Sequence, residues 1–432
     1  MRLLLGGFCT LMLAALPASE KSAAPRAHVL VEGEIRDAET GALLPARIYV
    51  RGSDGAWHFP QSGSAAGSAI RYEKKRANSD SVEMHTTLSA HPFRLELPPG
   101  AYTFTIERGK EYLRETHDAV VAPGLPKVSF RLRRWIDMGK TGWYSGDTHV
   151  HRAPAELPNV MLAEDVNVAL PLLDWTIDSH IPPPGDPRSV GGDYGGAPVS
   201  VDATHVWHPR NTEYEIFRVQ NREHRLGALF ILNHRTRFER SVLPLADVVR
   251  QARAEGALLD LEKHNWPWSL ALVPALNIDV MELANNHHWQ AEYAVKNWAV
   301  PAPAWMKLPG TGTDTERDWT MYGLHTYYAL LNCGFRLKPT AGSANGVHPV
   351  PHGFSRVYVH LGARFTYDDW MKGLGAGRSF VTTGPMLRAK AAEEWPGATF
   401  NASAPAGEFT LHSLWVRYPE ACFGLVGVWL RA

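Results

Sequence analysis

Cysteine is scarce here: there are three in 432 residues, at positions 9, 333 and 422. None of the spacings between them suits a disulfide scaffold, a thiolate metal site or a redox pair, so thiol chemistry does not run this chain. An excess of charge is missing too, because Lys plus Arg and Asp plus Glu both number 44. That balance excludes the electrostatic footprint of a nucleic-acid binder or a membrane-surface protein. Long apolar runs are absent apart from Leu3 to Leu16, which falls short of the ~20 residues of a membrane span. Placed between Met1-Arg2 and Pro17-Ala18-Ser19, that run has the order of a secretory signal. Residues 1–18 are therefore expected to be a signal peptide, 19–27 a polar linker, and the mature protein secreted or periplasmic.

What the chain has in quantity is histidine, 20 residues, and tryptophan, 15 residues. They crowd into residues 149 to 352, which points to metal chemistry and an aromatic-lined cleft. Residues 28–134 read differently. Alternation over His28 to Ile35 and Ala46 to Arg51, with turn chemistry at Asp37-Ala-Glu-Thr-Gly41, predicts a hairpin. Phe93 to Leu97, Tyr102 to Arg108 and Val128 to Leu132 add short strands, as in a small all-β sandwich. Residues 52–92, rich in Ser, Gly and Ala, read as a long inserted loop that reaches toward the other domain.

From Trp135 to about residue 392 short apolar runs end in His, Asp, Glu or Asn and alternate with helical stretches such as Leu245 to Glu255, predicting an α/β domain. The strand ends fall at Asp147 to His151, Asp174 to Asp178, Leu232 to His234, Asp260 to His264, Glu282 to His288 and Ala341 to Asn345. In a β/α barrel such ends converge on one face. His149 and His151 are two apart, so on an extended segment both imidazoles point to one side and can grip one ion. Twenty histidines give roughly one His-x-His by chance, so the strand-end context, with Asp147 in front and Gly146 opening the turn, carries the argument. Glu282, followed by Asn285-Asn286-His287-His288, offers a carboxylate for a divalent cation, with Asp178 a further candidate ligand. Glu262, Lys263 and His264 end another strand, where a carboxylate acts as ligand or base, a lysine steadies negative charge, and His264 or His287 carries a proton. Alternation turns Lys263 away from Glu262 unless the strand has already ended. Glu164, Asp165, Asp174 and His180 are open candidates, and Trp266, Trp268 and Trp289 mark a cleft wall.

Two resemblances follow. Gly33-Glu-Ile-Arg-Asp37, Thr40-Gly41 and Leu97-Pro-Pro-Gly-Ala-Tyr102 resemble the marks of the carboxypeptidase regulatory-like, transthyretin-like sandwich. Asp147-Thr-His-Val-His151 resembles the first motif of the polymerase and histidinol phosphatase (PHP) superfamily. Gly256-Ala-Leu-Leu-Asp-Leu-Glu-Lys-His264, Ile278-Asp-Val-Met-Glu-Leu-Ala-Asn-Asn286, Leu331-Asn-Cys-Gly-Phe-Arg336, Thr340-Ala-Gly-Ser-Ala-Asn-Gly346 and Gly377-Arg-Ser-Phe-Val-Thr-Thr-Gly-Pro385 are similar to its CehA/McbA branch. The resemblance implies a distorted (β/α)7 barrel holding one to three divalent ions (zinc, manganese or iron) that activate water against an ester, amide or phosphoester, small or polymeric. His149, His151 and Glu282 match its ligand positions. The chain departs where relatives carry a His-Pro pair, here Lys263-His264, and where they end in Gly-Ser-Asp-x-His, here Gly342-Ser-Ala-Asn-Gly346. Ala344 and Gly346 carry no ligand atom, which leaves a one-metal site, another ligand set or loss of activity open.

Pro396 to Phe400 and Glu408 to Leu411 read as opening strands of a further β domain, so residues 393–432 are expected to be its shortened start or an irregular tail. The leading expectation is a secreted metal-dependent hydrolase. Its rival is a catalytically degenerate protein that binds a glycan or envelope component.

Overall fold

The computed structural model describes residues 28–76, 81–266, 268–288, 300–310, 316–362 and 364–400, together with the strand backbones Leu411–Val416 and Val426–Gly427. The expected signal peptide and linker, Trp289 and most of the tail lie outside the described residues. What is described is a multidomain, β-rich protein with five α-helices among the described residues.

In the first domain, a four-stranded sheet orders Val128–Leu132, Val29–Asp37, Phe93–Leu97 and Gln61–Ser62. The second sheet orders Ala69–Lys75, Val82–Leu88, Ala46–Gly52, Gly100–Glu107 and Glu115–Val121. Alternation does the work: every second residue of Val29–Asp37 is buried, and Val31, Ile35, Ile48, Val50, Phe104 and Phe130 join one core between the sheets.

Two sequence expectations change here. The first two strands do not form a hairpin. Val29–Asp37 pairs with Phe93–Leu97 and Val128–Leu132, whereas Ala46–Gly52 pairs in the other sheet. The turn at Asp37, whose Oδ1 accepts from the Glu39 and Thr40 amides at 2.9 and 2.8 Å, carries the chain across the sandwich. Nor is 52–92 a structureless loop. Its strands enter both sheets, and its tip does reach the second domain: the Tyr72 hydroxyl donates to the His348 carbonyl and accepts from the Gly346 amide.

The second domain builds parallel pairs through helical crossovers. Trp143–Val150, helix Leu157–Glu164 and Val168–Pro171 form one such unit. Leu258–Glu262, helix Ser269–Leu276 and Val280–Ala284 form the next, and helix Glu316–Asn332 returns the chain to Lys338–Ala341. Strict alternation of β and α breaks at Thr212–Val219 and Arg222–Leu232, which form an antiparallel hairpin. The two large sheets meet where Val150 bridges Asn345, with the His151 amide donating to the Asn345 carbonyl at 2.7 Å and the Ala344 amide to the His149 carbonyl at 2.7 Å. Gly342 permits this approach, since a Cβ there would lie 2.2 Å from that of His149. Gly146 opens no turn. It sits within its strand because the Trp370 indole packs where its side chain would be, 2.2 Å from an added Cβ.

The acidic candidates Glu164 and Asp165 belong to the domain interface. Glu164 ion-pairs with Arg47, both side chains buried (4 and 5% exposed), and Asp165 takes Arg108 at 3.0 Å and Arg134 at 2.8 Å. Asp174 is likewise spent on Arg237, at 2.6 Å. Past residue 392, Pro396 to Phe400 form no strand; instead Met386–Ala391 pairs with Leu411–Val416.

Removing one member of a buried ion pair strands the other. Arg47→Met is therefore expected to destabilise the fold by about 3–5 kcal/mol, read as a lowered urea midpoint. Arg71→Met, which breaks the exposed pair with Glu73, should leave the midpoint unchanged. Equal midpoints for the two variants would refute this account of the interface.

Candidate metal centre

Six side chains from four strand segments converge inside the second domain. His149 and His151 come from the end of Trp143–Val150, Glu213 and Glu215 from Thr212–Val219, Glu262 from Leu258–Glu262 and Glu282 from Val280–Ala284. Register explains the convergence. Glu215 lies opposite Ala228, and Ala228 opposite Glu262. Because Leu261 faces Met281, Glu262 sits beside Glu282, which in turn faces Thr340. A slip of one residue in any strand would turn its carboxylates outward.

The ligand atoms form three interlocking groups, each with its atoms within 4.8 Å of one another: His149, His151 and Glu213; His149, Glu262 and Glu282; and Glu213, Glu215 and Glu262. These buried groups can hold a metal ion. In the first, His149 Nε2 and His151 Nε2 are 3.2 Å apart, and Glu213 Oε2 lies 3.4 Å from the latter. Two imidazole nitrogens each 2.0–2.1 Å from one tetrahedral zinc would be about 3.3 Å apart, so the spacing fits a shared ion. His149 Nδ1 lies 2.9 Å from Glu282 Oε1, and the Asn285 amide donates to Glu282 Oε2 at 3.1 Å. A proton on Nδ1, held by Glu282, leaves the Nε2 lone pair for a cation, which is the usual carboxylate–histidine support of a metal ligand. Phe230, edge-on to His149 at 4.6 Å, and Trp175, 4.7 Å from His151, hold the rings in place. No hydrogen bond reaches Glu213 Oε2 or Glu262 Oε2, both buried, as expected of atoms kept for an ion.

Four carboxylates thus share one ammonium, that of Lys263. Burial and the neighbouring Glu215 and Glu262 push the Glu213 carboxyl well up. Burial, countered by Lys263 and reinforced by Glu282, brings Glu262 to about 7, and burial brings Glu282 to about 8. Burial also holds His149 down at about 4 and His151 well below the usual imidazole range, so both are neutral, as ligands must be.

Of the expected residues, His149, His151, Glu262 and Glu282 come together. Lys263 joins them, resolving its alternation: the strand ends at Glu262, Lys263 adopts φ 57°, and its ammonium reaches Glu262 Oε1 and, at 3.2 Å, Glu215 Oε1. Asp147 is a correction. Its carboxylate accepts from the amides of His149, Ser343 and Gly353 at 3.1, 2.9 and 2.8 Å and from the Ser343 hydroxyl, and faces His352 at 3.2 Å. It ties strand to loop and stands outside the ligand groups. Asp178 is also outside them, because a bulge after Thr176 shifts its register and its Oδ1 accepts from the His180 amide at 3.0 Å. His264 is packed between Trp319 and Tyr322, ring centres 5.0 and 5.1 Å away. His287 lies edge-on to Trp319 at 5.2 Å, and neither histidine belongs to a ligand group. Trp266 is buried beside Phe217, while Trp268 is exposed. The altered segment Gly342 to Gly346 docks backbone onto the His149 strand and supplies no ligand.

Glu213 and Glu215 were missed. The signal was present: two glutamates alternating in Thr212-Glu-Tyr-Glu-Ile216 share a face, as the two histidines do. No family model and no curated protein matches this chain.

The charge pattern sets a pH dependence for metal-free protein. Carboxyls raised from 4.5 to about 7 and 8 favour folding most when protonated, so their contribution is lost as pH rises toward 8. Histidines lowered from 6.5 contribute above 6.5 and lose that contribution as pH falls. Between pH 4.5 and 6.5 the two trends oppose each other, and above 6.5 only the carboxyl loss remains, so the melting temperature of chelator-treated protein should decline from pH 6.5 to pH 8. Glu282→Gln should flatten the upper limb; an unchanged decline in that variant would sink the assignment.

Proposed function

We propose that the chain is a metal-dependent hydrolase whose second domain is a distorted seven-stranded β/α barrel of the PHP type, preceded by a transthyretin-like sandwich. The barrel reading is supported by the bridge between Val150 and Asn345, which joins the two large sheets beside the ligand histidines. The observation that carries the function is the convergence of His149 Nε2, His151 Nε2 and Glu213 Oε2, three uncommitted ligand atoms in a buried site.

These three side chains would hold a divalent cation, of which zinc, manganese and iron all accept nitrogen and carboxylate ligands. Such an ion, when bound, supplies Lewis acidity and makes water nucleophilic near neutral pH. Glu282 orients His149 by accepting a hydrogen bond from its Nδ1–H. Glu262 Oε2, which accepts no hydrogen bond and belongs to a carboxyl that titrates near neutrality, is suited to take a proton from water. Lys263 holds Glu262 by its other oxygen, so Oε2 stays directed. The substrate class is an ester, amide or phosphoester, cleaved outside the cytoplasm on the strength of the signal-like order of residues 1–18. Loss of ligands at Ala344 and Gly346 motivates the rival, a glycan or envelope binding module, but Glu213 and Glu262 supply donors those positions lack. Glycan retention by chelated protein, with no turnover in any metal, would favour that rival.

Purified protein is expected to contain a divalent metal and to hydrolyse ester or phosphoester reporters. The double variant His149→Ala with His151→Ala should lose both. Glu262→Gln should lower kcat by about 100-fold or more while keeping the metal. Glu282→Gln should weaken metal affinity about 10- to 100-fold. Full activity in the double histidine variant would end the hydrolase reading.

A further inference from the structure

We infer that Lys263 occupies the position of a second cation, so that the centre is built for one metal ion and carries its other positive charge as an ammonium. The inference rests on the metal-hydrolase reading above and specifies the centre that reading requires.

Three ligand groups interlock in this interior, enough in principle for more than one ion. Two of them are already committed. In the group Glu213, Glu215 and Glu262, the Lys263 ammonium touches Glu262 Oε1 and lies 3.2 Å from Glu215 Oε1. Ala228 puts only a methyl group between those glutamates, and the lysine bridges them. In the group His149, Glu262 and Glu282, one oxygen of Glu282 faces His149 Nδ1 and the other accepts from Asn285. Glu262 Oε2 also accepts no hydrogen bond, but its carboxyl is already held by Lys263, which leaves His149 Nε2, His151 Nε2 and Glu213 Oε2 to make a single site.

The local backbone makes the lysine's placement deliberate rather than incidental. A side chain one residue past Glu262 on a continuing strand would point the opposite way. The strand stops at Glu262, and Lys263 takes φ 57°, a left-handed conformation uncommon outside glycine. That turn brings its side chain to the same side as Glu262, where it is 14% exposed, with the Trp266 ring 5.9 Å from its Nζ. A dication between Glu215 and Glu262 would have to share their oxygens with an ammonium a few ångströms away. In a buried site of low dielectric, that repulsion far exceeds what surface charges exert on one another.

Metal stoichiometry tests this separately from activity. After loading with manganese and dialysis, elemental analysis should give one ion per chain for the wild type and for Lys263→Arg, and two for Lys263→Met. Electron paramagnetic resonance should show isolated manganese in the first two proteins and a spin-coupled pair in Lys263→Met. No metal in the wild type would overturn the hydrolase reading itself. Two ions in the wild type, or one in a Lys263→Met protein whose circular dichroism is native, would overturn the lysine assignment alone. Should Lys263→Met fail to fold, the anomalous map of a manganese-soaked wild-type crystal decides. One peak among His149, His151 and Glu213 supports the assignment, and a peak between Glu215 and Glu262 refutes it.

Discussion

Negative charge buried without enough positive charge to match it is the constraint from which the second domain's organisation follows. Glu213, Glu215, Glu262 and Glu282 lie in one interior with the ammonium of Lys263. A carboxylate taken out of water is costly unless it is paired, protonated or bound to a cation. The protein uses the first two remedies visibly, in the Lys263 bridge and in the raised carboxyls of Glu262 and Glu282. The geometry around His149 and His151 prepares the third.

Holding such a cluster needs a scaffold that cannot relax, and several features serve that end. Phe230 and Trp175 pack on the two imidazoles. Asp147 spends its carboxylate on three backbone amides and a hydroxyl, locking the His149 strand to Ser343 and Gly353. Below the ligands, the Thr340 hydroxyl donates to the buried Asp260 at 2.7 and 2.9 Å. The first domain reinforces the same region from outside. Tyr72 bonds to the backbone at Gly346 and His348, and Arg47 and Arg108 bind the end of helix Leu157–Glu164, which directly follows the histidine segment. A sandwich with two sheets and a core of its own is therefore part of what keeps the ligand strand in register.

Much of this was legible in the chain itself. The Val29–Asp37 alternation, the turn at Asp37 and the helix at Leu245–Ala254 are local patterns, set by period and turn chemistry. His149, His151, Glu262 and Glu282 were legible for the same reason, as polar residues closing apolar strands. What was illegible was non-local. Nothing near Asp147 in sequence announces Ser343 or Gly353, so a residue that reads as a ligand proves to be a brace. Glu164 and Asp165 read as site candidates because their partners Arg47, Arg108 and Arg134 come from another domain. Asp178 was misplaced by a bulge, which shifts register without leaving a clear mark in composition.

Sequence alone determined many of the extended and helical segments and the polar residues that end several strands, because those properties depend on neighbours within a few positions, but not the strands within 52–92. Tertiary structure alone decided which of those residues meet. Glu213 and Glu215 joined the histidines through strand pairing, since cross-strand neighbours are set by register. Lys263 turned inward because its strand ended one residue earlier, a choice made by a single left-handed backbone angle that period-two alternation cannot foresee.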